Sequence, residues 1–153
     1  MNYNEIISSI INLEDTECSC PKCKAMCEHR PCWGTPDEIQ NLIDLGYADK
    51  LMIDYWVGNF SGKEYEDTYV ISPAIVGCEK GNAPFWPTGR CNFLTPEGLC
   101  EIHKLKPVEG RKGNGCSEEE STHPFNIHER VAMSWDTPKG RQVVHNFEKI
   151  VNP

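Results

Sequence analysis

The chain has 153 residues, a formal net charge of −8 and a sequence pI near 5.1, with 39% hydrophobic and 25% charged residues. This length fits one domain with a sizeable core, and the composition lies outside the low-hydrophobicity, high-charge regime of disordered chains. The acidic balance provides no basic surface for nucleic acid or anionic lipid, so we expect neither as a partner.

The first residues, MNYNEIISSIINLEDTE, have neither a basic segment nor a continuous apolar run, so they do not resemble a secretory signal. No apolar run approaches the roughly 18–20 residues that a bilayer crossing needs. We therefore expect a cytoplasmic protein. In that reducing compartment, nine cysteines favour metal binding over disulfides.

Three segments are predicted in the first third of the chain. Residues 2–13 have helical spacing of apolar side chains, at Ile6, Ile7, Ile10, Ile11 and Leu13. The cysteine-dense stretch CSCPKCKAMCEHRPC, residues 18–32, predicts irregular backbone because prolines and close cysteines interrupt any regular pattern. Thr35-Pro36-Asp37-Glu38 predicts a capping box that begins a helix, which Gly46 ends.

The middle of the chain predicts a helix, a loop and a strand in turn. Residues 47–56 continue as a second helix with Leu51, Met52, Tyr55 and Trp56 on its buried side. The polar, turn-rich segment 58–67 predicts an exposed loop. Residues 68–78 are rich in β-branched side chains and predict a strand that Pro73 restricts or breaks and that Cys78 follows.

The last third predicts a tight turn and two helices. The turn is Thr95-Pro96-Glu97-Gly98, between short segments that carry Cys91 and Cys100. A glycine-rich loop leads to Cys116, and helices are predicted over residues 123–134 and 138–151. The chain is thus predicted to be a single domain over residues 1–153, of small α+β class, helix-rich with short β segments around a cysteine metal site.

The densest group of candidate ligands lies near the N-terminus, at Cys18, Cys20, Cys23, Cys27 and Cys32. A C-x2-C step lets two thiolates reach one zinc ion, and Cys20 and Cys23 have that spacing. Cys27 and Cys32 complete a four-sulfur site, which leaves Cys18 as a spare, a substitute or a bridging ligand. This spacing predicts a metal site but does not choose its four ligands.

A second group of candidate ligands is spread over the rest of the chain, at Cys78, Cys91, Cys100 and Cys116. Their spacing is too wide for a zinc ribbon, but pairing of the short strands would bring them together. The alternative for Cys78 and Cys116 is that each is a small buried hydrophobic residue.

From Cys20 to Arg111 the chain resembles the zinc- or iron-chelating family named for its CxxCxxCC motif. Cys20, Cys23 and Cys27 match the N-terminal cysteine run. The clearest similarity is Cys91-Asn92-Phe93-Leu94, then Gly98-Leu99-Cys100-Glu101-Ile102-His103, then Lys106-Pro107 and Arg111. The resemblance implies chelation of zinc or iron by cysteines.

Two positions depart from the family pattern. Glu28 stands where the fourth N-terminal cysteine would be, and Gly110 stands where the last cysteine precedes an arginine. Cys32 and Cys116, each a few residues downstream, are inferred replacements.

Zinc chelation through clustered thiolates is the predicted function, and no catalytic motif points to an enzyme. The first alternative is an iron–sulfur redox or methyl-transfer enzyme, because a branch similar to this family is a flagellin lysine methylase. The second alternative is a disulfide-stapled binding domain without metal. The metal ion is the expected partner, and the sequence identifies no protein partner.

Overall fold

The computed structural model describes residues 2–13, 26–86, 88–112 and 124–153. In these ranges the chain forms six α-helices and one two-stranded antiparallel sheet. The helices are α1 Tyr3–Ile11, α2 Met26–His29, α3 Pro36–Asp44, α4 Val108–Lys112, α5 Pro124–Trp135 and α6 Pro138–Val151, and the strands are β1 Leu51–Trp56 and β2 Thr68–Pro73. This confirms the predicted α+β class, helix-rich with short β segments.

Helix α1 forms where the apolar spacing predicted it. The side chain of Asn2 accepts a hydrogen bond from the backbone N–H of Glu5 and so caps the first turn. Ile6 and Ile10 are buried, whereas Ile11 is 59% exposed and does not belong to the packed face.

Helix α3 begins at the predicted capping box. The backbone N–H of Glu38 donates to the Thr35 hydroxyl, and the Glu38 carboxylate accepts from the Thr35 backbone N–H. Gly46 follows the helix with φ of 94°, a conformation that favours glycine. The local residues therefore fix both ends of this helix.

The predicted helix over residues 47–56 is wrong. Ala48–Lys50 forms a single 3-10 turn, and β1 follows directly, paired antiparallel with β2 from Leu51 opposite Pro73 to Trp56 opposite Thr68. A short apolar run with i, i+4 spacing fits a helix and a buried strand equally well. Pairing with β2 decides between them here, and that pairing is a non-local interaction.

The irregular backbone predicted for residues 18–32 is wrong at Met26–His29, which form α2, and residues 18–25 lie outside the described ranges. The predicted loop, the strand β2 and the last two helices are confirmed. Residues 58–67 are a loop. The backbone N–H of Phe60 in this loop donates a hydrogen bond to the Asp136 carboxylate at 2.8 Å. Strand β2 ends at Pro73, and α5 and α6 lie close to their predicted bounds. Thr137 caps α6 by accepting from the N–H of Gly140.

The core lies where the helices pack on each other and on the sheet. Helix α1 packs against α5, α3 against α6, and α5 and α6 both contact β2. Trp33, Trp135, Phe93 and Phe147 are its largest fully buried side chains. Within the described ranges, none of the helices combines the length and the apolar composition needed to cross a bilayer.

Candidate metal centre

Four cysteines from separate parts of the chain line one small cavity. They are Cys27, Cys32, Cys91 and Cys100, and the cavity has a volume of about 20 Å³. Its remaining walls are Pro73, Phe93, Ile102, Lys106 and Pro107. Cys32 and Cys91 are buried, while Cys27 and Cys100 are half-buried. The cavity therefore lies between the core and the surface.

Backbone hydrogen bonds bring these cysteines together. Cys27 lies in α2, and its carbonyl accepts from the N–H of Cys91 at 2.9 Å. Cys91 also forms an antiparallel bridge with Ile75, just beyond the end of β2. Cys91 is thus placed between α2 and the stretch that follows β2.

The predicted turn at residues 95–98 positions the fourth thiol. The N–H of Gly98 donates to the Thr95 carbonyl at 2.9 Å, and Gly98 has φ of 82°. Leu94 and Cys100 form an antiparallel bridge across this turn. The confirmed turn therefore returns the chain so that Cys100 faces the same cavity as Cys91.

The thiols of Cys27 and Cys32 are hydrogen-bonded to each other. The Cys32 thiol donates to Cys27 and, with the positive charge of Lys106, lowers the pKa of Cys27 to about 6 against the opposing effect of burial. The same hydrogen bond, together with complete burial, raises the pKa of Cys32. Cys27 is therefore the thiol of this pair that ionises first.

Cys91 and Cys100 share a backbone arrangement that stabilises thiolates. Burial raises the pKa of Cys91 to about 12 and also raises the pKa of Cys100. In both cases the backbone N–H two residues on, at Phe93 and Ile102, donates towards the sulfur and opposes the rise. Such N–H donors stabilise a metal-bound thiolate without adding a charge.

The four thiols do not form a finished coordination shell. Within residues 2–13, 26–86, 88–112 and 124–153, no three cysteine, histidine, aspartate or glutamate side chains are grouped closely enough to hold a metal ion. The shared cavity and the mutual effects on pKa nevertheless show that the four thiols are neighbours. An ion bound here would have to draw the sulfurs inwards.

Of the other predicted ligands, only Cys78 lies in the described part of the chain, and it does not line this cavity. Cys78 lies half-buried against the small cluster of Met52, Ala74 and Ile75, apart from the four thiols. Cys18, Cys20, Cys23 and Cys116 lie outside the described residues. All five described cysteines are free thiols. The cavity thus combines two cysteines of the N-terminal group with two of the second group, a combination that the sequence interpretation did not make.

Sequence reasoning also missed the charged groups beside the thiols. Lys106 lines the cavity, and the charge of Glu109 acts on the thiol of Cys32. Glu109 pairs with His128, Oε2 to Nδ1, at 2.6 Å. Lys106 belongs to the Lys106-Pro107 motif and Glu109 follows it, but only the fold shows that both approach Cys32.

A buried polar contact lies next to the cavity. Trp33, the residue after Cys32, donates from its indole nitrogen to the Asp54 carboxylate at 3.0 Å. Asp54 is only 2% exposed, and burial raises the pKa of its carboxyl group. This contact joins the thiol-bearing segment to β1.

Comparison with known proteins adds no relative from which function could be transferred. No protein-family model, no curated protein and no solved structure matches the chain. The likeness to the CxxCxxCC family therefore stays a prediction from the sequence motifs. Function has to be inferred from the thiol geometry itself.

Proposed function

We propose that this chain binds a single zinc ion through the thiolates of Cys27, Cys32, Cys91 and Cys100. The observation that carries this proposal is the convergence of four free thiols, from three separate stretches of chain, on one small cavity. Four thiolates are a common donor set of structural zinc sites in reducing compartments.

The size of the cavity favours one ion. A volume of about 20 Å³ is close to the 10–15 Å³ or more that a single water molecule requires. Binding of one tetrahedral ion would draw the sulfurs inwards, to about 3.8 Å from one another around zinc–sulfur bonds of about 2.3 Å.

The backbone around the thiols also fits zinc thiolates. The N–H groups of Phe93 and Ile102 donate towards the sulfurs of Cys91 and Cys100. Thiols whose pKa is raised by burial are poor ligands until a cation replaces their protons, so zinc binding should release protons. A site closed by four protein ligands has no open position for a substrate, and the proposed role is structural.

The experiment is a metal titration of reduced, metal-free protein. Co²⁺ serves as a spectroscopic probe in place of Zn²⁺, which has no visible absorption. Tetrahedral cobalt thiolates absorb in the visible range and show thiolate-to-cobalt charge transfer. We expect one Co²⁺ ion to bind per chain, and its absorption bands to disappear when Zn²⁺ displaces it. Serine at position 27, 32, 91 or 100 should weaken both the visible absorption and the charge-transfer band, whereas Cys78→Ser should leave both intact.

Three outcomes would contradict the proposal. Full zinc binding in all four single-serine variants would show that the ligands lie elsewhere. A brown protein with stoichiometric iron, purified without oxygen, would favour the iron–sulfur alternative. Absence of metal together with few free thiols after denaturation would favour the disulfide-stapled alternative.

A further inference from the structure

Lys106 places a positively charged side chain against the thiol cavity. It follows the 3-10 turn His103–Leu105 and precedes Pro107, and both Lys106 and Pro107 line the cavity. The carbonyl of Lys106 accepts a hydrogen bond from Nη1 of Arg111, which also pairs with Glu38. The backbone at Lys106 is therefore tied to the start of α3.

The absence of a side chain at Gly110 lets Lys106 and Cys32 converge. A Cβ on Gly110 would lie 2.6 Å from Cε of Lys106 and 3.0 Å from Sγ of Cys32. Cε of Lys106 and the buried sulfur of Cys32 therefore both lie where a side chain at position 110 would begin. The positive charge of Lys106 also acts on the thiols of Cys27, Cys32 and Cys100.

No carboxylate in the described part of the chain competes for this ammonium group. The ion pairs formed among those residues use other cations, namely Lys50, Lys63, Arg111, His128, Lys139 and Arg141. The charge of Lys106 acts on three thiols, whereas the carboxylates in these ion pairs are bound to other cations. Among the described residues, no ion pair ties Lys106 to a carboxylate, and its charge acts on the thiols that it lies beside.

We propose that Lys106 is a positioning residue of the thiolate site, whose ammonium group offsets the charge of the metal-bound sulfurs. This inference rests on the proposed zinc site. Four thiolates around Zn²⁺ carry a net charge of −2, and a partly buried cation nearby stabilises that charge. A charge-assisted N–H···S contact also makes the sulfur a weaker nucleophile, so the bound thiolates resist electrophiles.

The test compares Lys106→Gln with two controls. Lys106→Arg keeps the charge, and Lys104→Gln removes an exposed lysine two residues away. Zinc affinity is measured by competition with a chromophoric chelator, and alkylation of the zinc-loaded protein by iodoacetamide is followed by mass spectrometry. Zinc stoichiometry is measured on every variant.

We expect Lys106→Gln to bind one zinc ion with affinity weakened about tenfold and to be alkylated several times faster, as loss of a close, partly screened charge predicts. Lys106→Arg should resemble the wild type in both measurements, and Lys104→Gln should be unchanged. Equal behaviour of Lys106→Gln and Lys104→Gln would overturn the role of Lys106 alone. The same losses in Lys106→Arg as in Lys106→Gln would show packing rather than charge, and a wild type that takes up no zinc would overturn the zinc site and this inference together.

Discussion

Moving one thiol from position 32 to position 110 tests the geometry of the proposed site. Cys32→Ala removes one of the four ligands. Gly110→Cys places a new Cβ 3.0 Å from the position that the Cys32 sulfur occupies, so a thiol on that Cβ can reach the vacated space. The other close atoms belong to Lys106, Cε at 2.6 Å and Cγ at 3.2 Å, on a flexible side chain that can move aside.

The expected size of the effect follows from the number of ligands. Structural zinc sites bind with about 10–16 kcal/mol, which averages to about 3 kcal/mol for each of four ligands. Because 1.4 kcal/mol corresponds to a factor of ten, Cys32→Ala should weaken zinc binding by about 100-fold. The double variant Cys32→Ala/Gly110→Cys should recover part of that loss, because the new thiol restores a ligand while Lys106 has to move aside.

Competition with a chromophoric zinc chelator measures these affinities, and circular dichroism checks that each variant is folded. The matched control is Cys32→Ala/Gly81→Cys, which restores the number of thiols at a position where a new Cβ would meet only the Cys78 carbonyl oxygen at 3.6 Å. That control should bind zinc no better than Cys32→Ala. If the Gly110→Cys double variant is folded and binds no better than the control, the thiol position inferred for Cys32 is wrong.

Three further predictions concern stability and pH. In Gly140→Ala the new Cβ would lie 2.4 Å from the carbonyl oxygen and 2.5 Å from Cα of Trp135, and this backbone cannot yield. The free energy of unfolding measured in urea should therefore fall by about 1–3 kcal/mol. Gly81→Ala, whose new Cβ meets only the Cys78 carbonyl oxygen at 3.6 Å, should lose much less, and equal losses would contradict the packing described. Burial raises the pKa of Asp54, so the folded state favours the protonated carboxyl group. The stability that the protonated group contributes is lost as pH rises from about 3.8 through the pKa of the folded state. The stability of Asp54→Asn relative to the wild type should therefore increase with pH in thermal melts, and a constant or decreasing difference would refute this sign. Removal of zinc by a chelator should increase amide hydrogen exchange in residues 89–102, which carry two of the proposed ligands, and exchange that is unchanged there would argue against a stabilising ion.

Local signals predicted α3 and α6 because the determinants of these helices are neighbours in sequence. Thr35 and Glu38 form the predicted capping box, and Thr137, directly before Pro138, caps α6. These contacts lie within one turn of the chain. No knowledge of the tertiary structure was needed to place them.

The region 51–56 could not be assigned in the same way. Leu51 and Tyr55, like Met52 and Trp56, have spacing that suits one face of a helix. What makes the segment a strand is its pairing with residues 68–73 across an intervening loop. Such a partner is not visible in a local window of sequence.

The thiol site shows the same limit. The spacing of the cysteines drew attention to Cys20 and Cys23, whereas the described thiols that meet are Cys27 and Cys32 with Cys91 and Cys100. The sequence interpretation replaced the missing cysteine at position 110 with Cys116, which lies outside the described residues. In the fold, the sulfur of Cys32 lies beside Gly110. Composition singles out thiols as candidate ligands, but which thiols meet depends on backbone contacts between distant segments.

The most direct test of the zinc site is metal analysis of protein purified without oxygen, comparing wild type with Cys91→Ser and Cys78→Ser. Cys91 is a buried member of the cavity, and Cys78 lies outside it. We predict that Cys91→Ser loses one zinc equivalent relative to the wild type, while Cys78→Ser keeps the full amount. Equal zinc content in all three proteins, or no zinc in the wild type, would contradict it.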